Sequence, residues 1–281
     1  MIVAEEFAKH AQEAELTLRY QHQRGRSTLI RREHYGPLVV QKPFYPEGEG
    51  VCHSIIVHPP GGIVAGDRLR INIAVEEKAH ALITTPGATK WYRSEGAMAQ
   101  QTIVLKVAAD AALEWLPQEA IVFNSANARQ SIAVELGERS RYVGWDILML
   151  GRTASQEKFI DGCYEQAWHI SRNGAPLWLE RGQIVGGSRL LDSPAGLAGC
   201  SVIATLIAIG KAPNAALVAA LRAVPVVGEG QIGITALPEL LSVRYLGHRV
   251  EAAKLFLQSI WRKLRPHYFG RAVQTPRIWS T

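Results

Sequence analysis

The sequence predicts a mainly β protein: stacked β-sheets in one β-helix-like or sandwich-like domain, with about two α-helices, one of them near the C-terminus. Three observations predict it. Apolar and polar residues alternate at period two in many short runs. Turn-forming residues separate those runs. Only two segments carry a helical stripe. In chain order, runs at 27–32 and 51–57 come first. Leu69, Ile71, Ile73 and Val75 then alternate with Arg68, Arg70, Asn72 and Glu76, the pattern of a strand with one buried and one wetter face. A run at 101–107 follows, and then Ile132, Val134 and Leu136 alternate with Ser131, Ala133 and Glu135. Further runs lie at 142–150, 164–171, 176–184 and 201–209. The turn signals are Gly61-Gly62, Pro86-Gly87, Asn173-Gly174 and Gly186-Gly187-Ser188. Asn173-Gly174 between two strand-like runs predicts a hairpin, because both residues tolerate positive φ. The first helix is expected over 212–223, opened by Pro213 and Asn214. The second is expected over 249–264, where Val250, Ala253, Leu257, Ile260, Trp261 and Leu264 share one stripe. Pro266 is expected to stop it. The chain reads as a single domain over 1–281, with roughly the first 18 residues disordered.

Composition excludes several classes. Of 281 residues 47% are apolar and 20% charged, too hydrophobic for a disordered chain. The cysteines Cys52, Cys163 and Cys200 show no CxxC spacing, which argues against a disulfide framework or a zinc ribbon and for a reducing compartment. Residues 1–15 carry Glu5, Glu6, Glu13 and Glu15 and no apolar core, unlike a secretory signal. The longest weakly polar run, 196–210, contains Ser201 and Thr205 and falls short of the roughly 20 residues that span a bilayer. A cytoplasmic protein with no membrane partner is expected. Residues 241–281 hold eight basic side chains against one acid, Glu251, within a chain of formal charge +6. That stretch therefore carries +7 and residues 1–240 sum to −1; its bases are interleaved with apolar positions, which favours a partner surface or a solvated face over nucleic acid.

The motifs are unevenly informative. Gly228-Glu229-Gly230-Gln231-Ile232-Gly233 matches GxGxxG, but no βαβ unit surrounds it, and a glycine-rich hairpin turn is the better reading. No GxxxxGK[ST], HExxH or GxSxG occurs. Cys52, His53 and His58 are close in sequence, yet neighbours on a strand point to opposite faces. His58-Pro59-Pro60-Gly61-Gly62 fixes and then frees the backbone, as a loop of special conformation requires. Asp67 beyond it is either a turn cap or an inward carboxylate. Glu114, Asp146 and Glu180 lie in apolar surroundings; each faces water or lines a polar interior path.

A longer ordered set of motifs carries more. It begins with His58-Pro59-Pro60-Gly61-Gly62, Gly66-Asp67 and Leu82-Ile83-Thr84-Thr85-Pro86-Gly87-Ala88-Thr89-Lys90-Trp91-Tyr92-Arg93-Ser94. Leu113-Glu114-Trp115-Leu116-Pro117-Gln118-Glu119, Gly144-Trp145-Asp146, Leu150-Gly151-Arg152, Phe159 and Gly162 follow. It ends with Val243-Arg244-Tyr245-Leu246-Gly247, Ile260-Trp261-Arg262-Lys263-Leu264-Arg265-Pro266 and Pro276-Arg277-Ile278-Trp279. From about Arg19 to the end, this resembles the UreD (UreH) family of urease accessory proteins. Gly87 departs slightly, standing where that family more often has Ala or Ser.

The resemblance implies a non-enzymatic maturation scaffold, or chaperone, with a helix-poor stack of sheets. Such a protein binds apo-urease and the helical accessory protein UreF, which recruits the GTPase UreG. Together they bring nickel and carbonate to the urease active site, nickel passing through an internal channel. Asp67, Thr84, Thr85, Asp146 and Glu180 match polar family positions and become candidate channel residues. Nickel would be held only weakly and transiently, by Asp67, Asp146 and Glu180, with no tightly bound cofactor. At the C-terminal end Trp261, Arg265, Arg277 and Trp279 are candidate partner contacts, since Trp and Arg carry interface energy; the alternative places Trp261 and Trp279 in the core. A different reading is a metal-dependent hydrolase using Asp67, Asp146 and a histidine on a β framework. A nucleic-acid-binding protein ranks last, because no aromatic-basic pattern supports it.

Overall fold

A computed structural model describes residues 11–94 and 96–280 of the chain. Two sheets stack face to face. The first runs β14 (Ala175–Val185), β13 (Cys163–Arg172), β11 (Asn127–Leu136), β8 (Ala99–Val107), β5 (Arg68–Val75), β1 (Glu13–Gln23) and β2 (Arg26–Tyr35). The second runs β16 (Gly230–Ala236), β17 (Leu240–Gly247), β15 (Val202–Ile209), β12 (Arg141–Leu150), β9 (Ala112–Leu116), β6 (His80–Thr84), β4 (Cys52–Val57) and β3 (Val39–Val40). Short strands β7 (Thr89–Trp91) and β10 (Ala120–Val122) extend it sideways from β12. From β5 to β13 the chain crosses repeatedly between the sheets, β7 and β10 following β6 and β9 on the side of the second, and neighbours within each sheet are parallel. The chain therefore winds as a solenoid.

Alternation explains the first sheet. In β5 the apolar positions Leu69, Ile71, Ile73 and Val75 point inward while Arg68 and Arg70 are exposed. β12 is different, being buried along nine of its ten residues. It is covered on both faces, so its sequence is a nearly continuous apolar run. Between the sheets lies one core, containing Leu16, Ile73, Leu105, Val134, Ile83 and Trp115. A second core lies between the outer face of the second sheet and the helices. There Trp145, Leu206 and Val243 meet Phe256, Leu257 and Ile260.

Both expected helices are present. A four-residue helix, α1 (Arg189–Asp192), precedes them; α2 covers Ala215–Arg222 and α3 covers Val250–Phe269. Asn214 caps α2, its side chain accepting the Leu217 N–H at 2.8 Å. Pro266 does not end α3 as expected. It sits within the last turn, where one missing N–H costs little against the buried contacts of Tyr268 and Phe269. The helix closes at Gly270, whose N–H reaches the Pro266 carbonyl. The hairpin at Asn173-Gly174 forms, with φ of 48° and 82° and antiparallel β13 and β14 on either side. The GxGxxG segment is only partly a turn. Gly228 has positive φ, but Gly230–Ala236 is an edge strand with no helix after it. Of the N-terminal stretch expected to be disordered, residues 1–10 lie outside the described residues. From Glu13 the chain is already strand, because alternating Ala14, Leu16 and Leu18 bury one face.

Candidate functional site: a polar cavity between the sheets

Three glutamines stand side by side on the inner face of the first sheet. Gln101 of β8 is in register with Gln130 of β11, and Gln130 with Gln166 of β13. Gln130 Nε2 donates to Gln101 Oε1 at 3.1 Å, and Gln166 Nε2 donates to Gln130 Oε1 at 3.1 Å. Tyr164 Oη also donates to Gln130 Oε1, at 3.2 Å. From the opposite sheet Asp146 of β12 meets this ladder, its Oδ2 accepting from Gln166 Nε2 at 2.6 Å. Asp146 is 7% exposed. Burial pushes its carboxyl up to about 6; the Gln166 hydrogen bond opposes that rise and the nearby Glu180 charge adds to it.

The ladder opens on a cavity of about 410 Å³ lined by Asp146, Gln101, Gln130, Gln118, Thr85 and His58, with apolar walls. His58 Nε2 is buried there without a protein hydrogen-bond partner. Burial pushes its imidazole below the ordinary range, against the pull of the Asp67 carboxylate, which favours the neutral ring. The loop that follows forms part of the wall. Gly61 has φ of 75°, and a Cβ on Gly62 would lie 2.1 Å from the Tyr92 ring, so the two glycines allow turn and close approach together.

A second polar row reaches Asp146 from outside. Glu180 of β14 pairs with Arg244 of β17 through two bonds of 2.7 and 2.8 Å, and Trp178 Nε1 donates to Glu180 at 3.1 Å. Arg244 also reaches Thr205 Oγ1 at 3.4 Å. Thr205 stands directly opposite Asp146 in the β12–β15 register. The polar groups thus run Glu180, Arg244, Thr205, Asp146, Gln166, Gln130, Gln101 and on into the cavity.

Of the five candidate channel residues, Asp146 and Thr85 line the cavity. Thr85 Oγ1 accepts the Gln118 N–H at 2.9 Å and donates to the Gly87 carbonyl. Glu180 lies at the outer end of the row. Asp67 and Thr84 do not belong to it. Asp67 is a turn cap: its two oxygens accept the Gln12 and Val64 backbone N–H groups at 2.8 and 2.9 Å. Thr84 faces the helical side of its sheet, donating to the Leu116 carbonyl at 2.6 Å and accepting Trp279 Nε1 at 2.8 Å. The trio Asp67, Asp146 and Glu180 is accordingly not a shared metal-ligand set. Cys52, His53 and His58 are not a set either, since His53 pairs with Glu47 at 2.6 Å and His58 faces the cavity. Among the described residues no group of three or more His, Cys, Asp or Glu side chains is placed to hold a metal ion.

The expected partner contacts divide. Trp261 and Arg265 are fully buried, because both occupy the inward stripe of α3 four residues apart, continuing Leu257. Arg265 belongs to an ionic cluster that sequence reasoning missed. Its Nε donates to Glu114 Oε2 at 3.0 Å and its Nη2 to Glu47 Oε1 at 2.6 Å. Glu114, itself fully buried, also accepts from Trp261 Nε1 at 2.6 Å and meets His80 Nε2 at 2.9 Å. Burial works to raise Glu114, but His80 and Arg265 hold it below the usual carboxylate range. Against the same effect, His53 and Arg265 hold Glu47 down to about 2. His80 is pushed down by burial, with the Glu114 contact opposing. The sequence signal for this cluster was an acid, Glu114, inside an apolar strand, and an arginine on a helix's buried stripe. Trp279 is half-buried, 5.5 Å from Trp145 and 5.6 Å from Trp261 between ring centroids. Arg277 alone of the four is exposed.

Among the described residues no helix is long and apolar enough to cross a membrane. Comparison with known proteins gives one consistent result. The family described as UreD urease accessory protein matches residues 12–280. A urease accessory protein UreD of Janthinobacterium sp. (strain Marseille) is 48% identical over 271 residues, covering 96% of this chain and 92% of that protein. One from Dechloromonas aromatica is 48% identical over 272 residues, covering 95% and 94%, and one from Nitrosococcus oceani 46% over 268 residues, covering 95% and 90%. With the family match spanning nearly the whole solenoid and its cavity, the chain belongs to the UreD family of urease accessory proteins.

Proposed function

We propose that this protein is a non-catalytic scaffold that binds apo-urease and, with UreF and the GTPase UreG, delivers nickel to the urease active site in the cytoplasm. The observation that carries the reading is Asp146: an acid buried between two sheets, at the junction of a glutamine ladder, a cavity and a polar row leading to the surface. An isolated buried carboxylate costs several kcal/mol unless it is solvated or paired. Here the partners are amides and open space, which suits a site that cargo visits and leaves. A closed cage of thiolates or imidazoles would hold nickel too firmly to pass it on. The three cysteines are all unpaired, in keeping with a reducing compartment. The hydrolase alternative needs Asp67 beside Asp146, but both oxygens of Asp67 are taken by backbone donors.

Co-expression of the tagged chain with UreF and the apo-urease subunits, read by size-exclusion chromatography with light scattering, tests the scaffold. A defined complex is expected; a monodisperse free chain that ignores both partners overturns it. Arg277, the exposed member of the tail set, is proposed to touch UreF. Arg277→Glu is then expected to weaken capture of UreF, and unchanged capture removes the tail from the interface.

A further inference from the structure

Where β15 begins and β17 ends, a thiol and an imidazole meet. β15 and β17 are antiparallel with Val202 opposite Gly247. That register brings Cys200, two residues before β15, beside His248, the residue after β17. Cys200 Sγ and His248 Nε2 are 3.7 Å apart. A tetrahedral ion with bonds of about 2.3 Å to sulfur and 2.05 Å to nitrogen needs its two donors about 3.6 Å apart. The pair is thus already spaced to chelate. His248 is exposed and Cys200 half-buried, so an ion reaches both from solvent.

A second observation points to a ligand at the same place. Tyr245 is 1% exposed, yet its Oη is buried with no hydrogen-bond partner. It reaches along β17 to Gly247, where an added Cβ would collide with Oη, and so toward the strand end that carries His248 and Cys200. A buried phenol rarely goes unpaired. A metal-bound thiolate or water beside Cys200 would accept its proton. We propose that Cys200 and His248 form a two-residue surface site for a borderline-soft divalent cation of the nickel, cobalt or zinc class, with Tyr245 as the outer hydrogen-bond donor. A thiolate with an imidazole favours those ions over magnesium and calcium. Binding forms one metal–sulfur and one metal–nitrogen bond and releases the thiol proton to solvent. Water fills the remaining positions. Arg249 lies next to the site, paired only loosely with Glu251 at 4.0 Å, and its charge opposes the cation. Together these features make the site exchangeable.

The proposal does not rest on the reading of the cavity, and its test needs no urease. Cobalt titrated into the reduced full chain is expected to give a thiolate-to-cobalt charge-transfer band saturating at one equivalent. Cys200→Ser should abolish it, and Cys163→Ser should leave it intact. His248→Ala should weaken binding at least the roughly tenfold that loss of even a supporting partner costs. In the unaltered chain, nickel should slow alkylation of Cys200 and not of Cys163. No band, a band that survives Cys200→Ser, or alkylation of Cys200 indifferent to nickel overturns the site and leaves a plain S–H···N contact.

Discussion

Asp146 and Glu114 are both carboxylates inside apolar strands, and their surroundings send them in opposite directions. Glu114 has a guanidinium within 3.0 Å and stays ionised. Burial, with the like charge of nearby Glu180, lifts the Asp146 carboxyl to about 6 against its bond from the Gln166 amide. The sign of its effect on stability follows. With a folded value above the unfolded value of about 3.9, the native state holds the proton more tightly between the two. Stability is therefore lost as pH rises from about 4 to about 6, and the loss persists above that. Asp146→Asn keeps an acceptor for Gln166 and removes the charge. It is expected to stabilise the chain at pH 7.5 by up to about 3 kcal/mol, the gain vanishing below pH 4; denaturant unfolding across that range measures it. Glu114 answers differently. Arg265→Met leaves it buried and uncompensated and should cost about 3–5 kcal/mol at neutral pH, and adding Glu114→Gln should recover part of that. If the single variant costs no more than a surface mutation in urea unfolding, the cluster does not hold α3 in place.

Each element carries its own check. The β13–β14 hairpin depends on Gly174 at φ of 82°. Gly174→Val is expected to cost about 1–2 kcal/mol, seen as a lower thermal midpoint. Much of this level is readable in the sequence. The apolar alternation of β5, β8 and β11, the Asn-Gly turn and the Ala-rich α2 all declare themselves within a few residues. What is not local is not readable. Gln101, Gln130 and Gln166 look like wet positions on three separate strands, since glutamine usually marks the solvent face. They become an inner ladder only through parallel pairing at separations of 29 and 36 residues. Arg265 was counted with the C-terminal surface charge, although its place on the α3 stripe marks it as inward. Its acid lies 151 residues earlier, which no short window can pair. Asp67 was ambiguous because a turn cap and an inward carboxylate call for the same residue after a glycine-rich loop.

At the scale of the molecule, the parts form three layers: one sheet, a second sheet, and the helices. The outer face of the first sheet is solvated, carrying exposed ion pairs such as Lys106–Glu135 and Arg129–Glu165, worth little individually. The second sheet is covered on both sides at its central strands, though its edge strand β16 is mostly exposed, and Trp145, Trp261 and Trp279 tie the C-terminal end onto it. This arrangement sets the polar row from Glu180 through Arg244, Thr205 and Asp146 to the cavity between the stacked sheets. In the proposed function, cargo nickel passes along that row. The most direct test is urease activation with the full set of accessory proteins, comparing this chain with its Asp146→Ala variant and reading nickel per urease active site. The variant is expected to fold and assemble at the same stoichiometry while nickel loading and urease activity fall together. Full nickel loading by an assembled Asp146→Ala complex would contradict it.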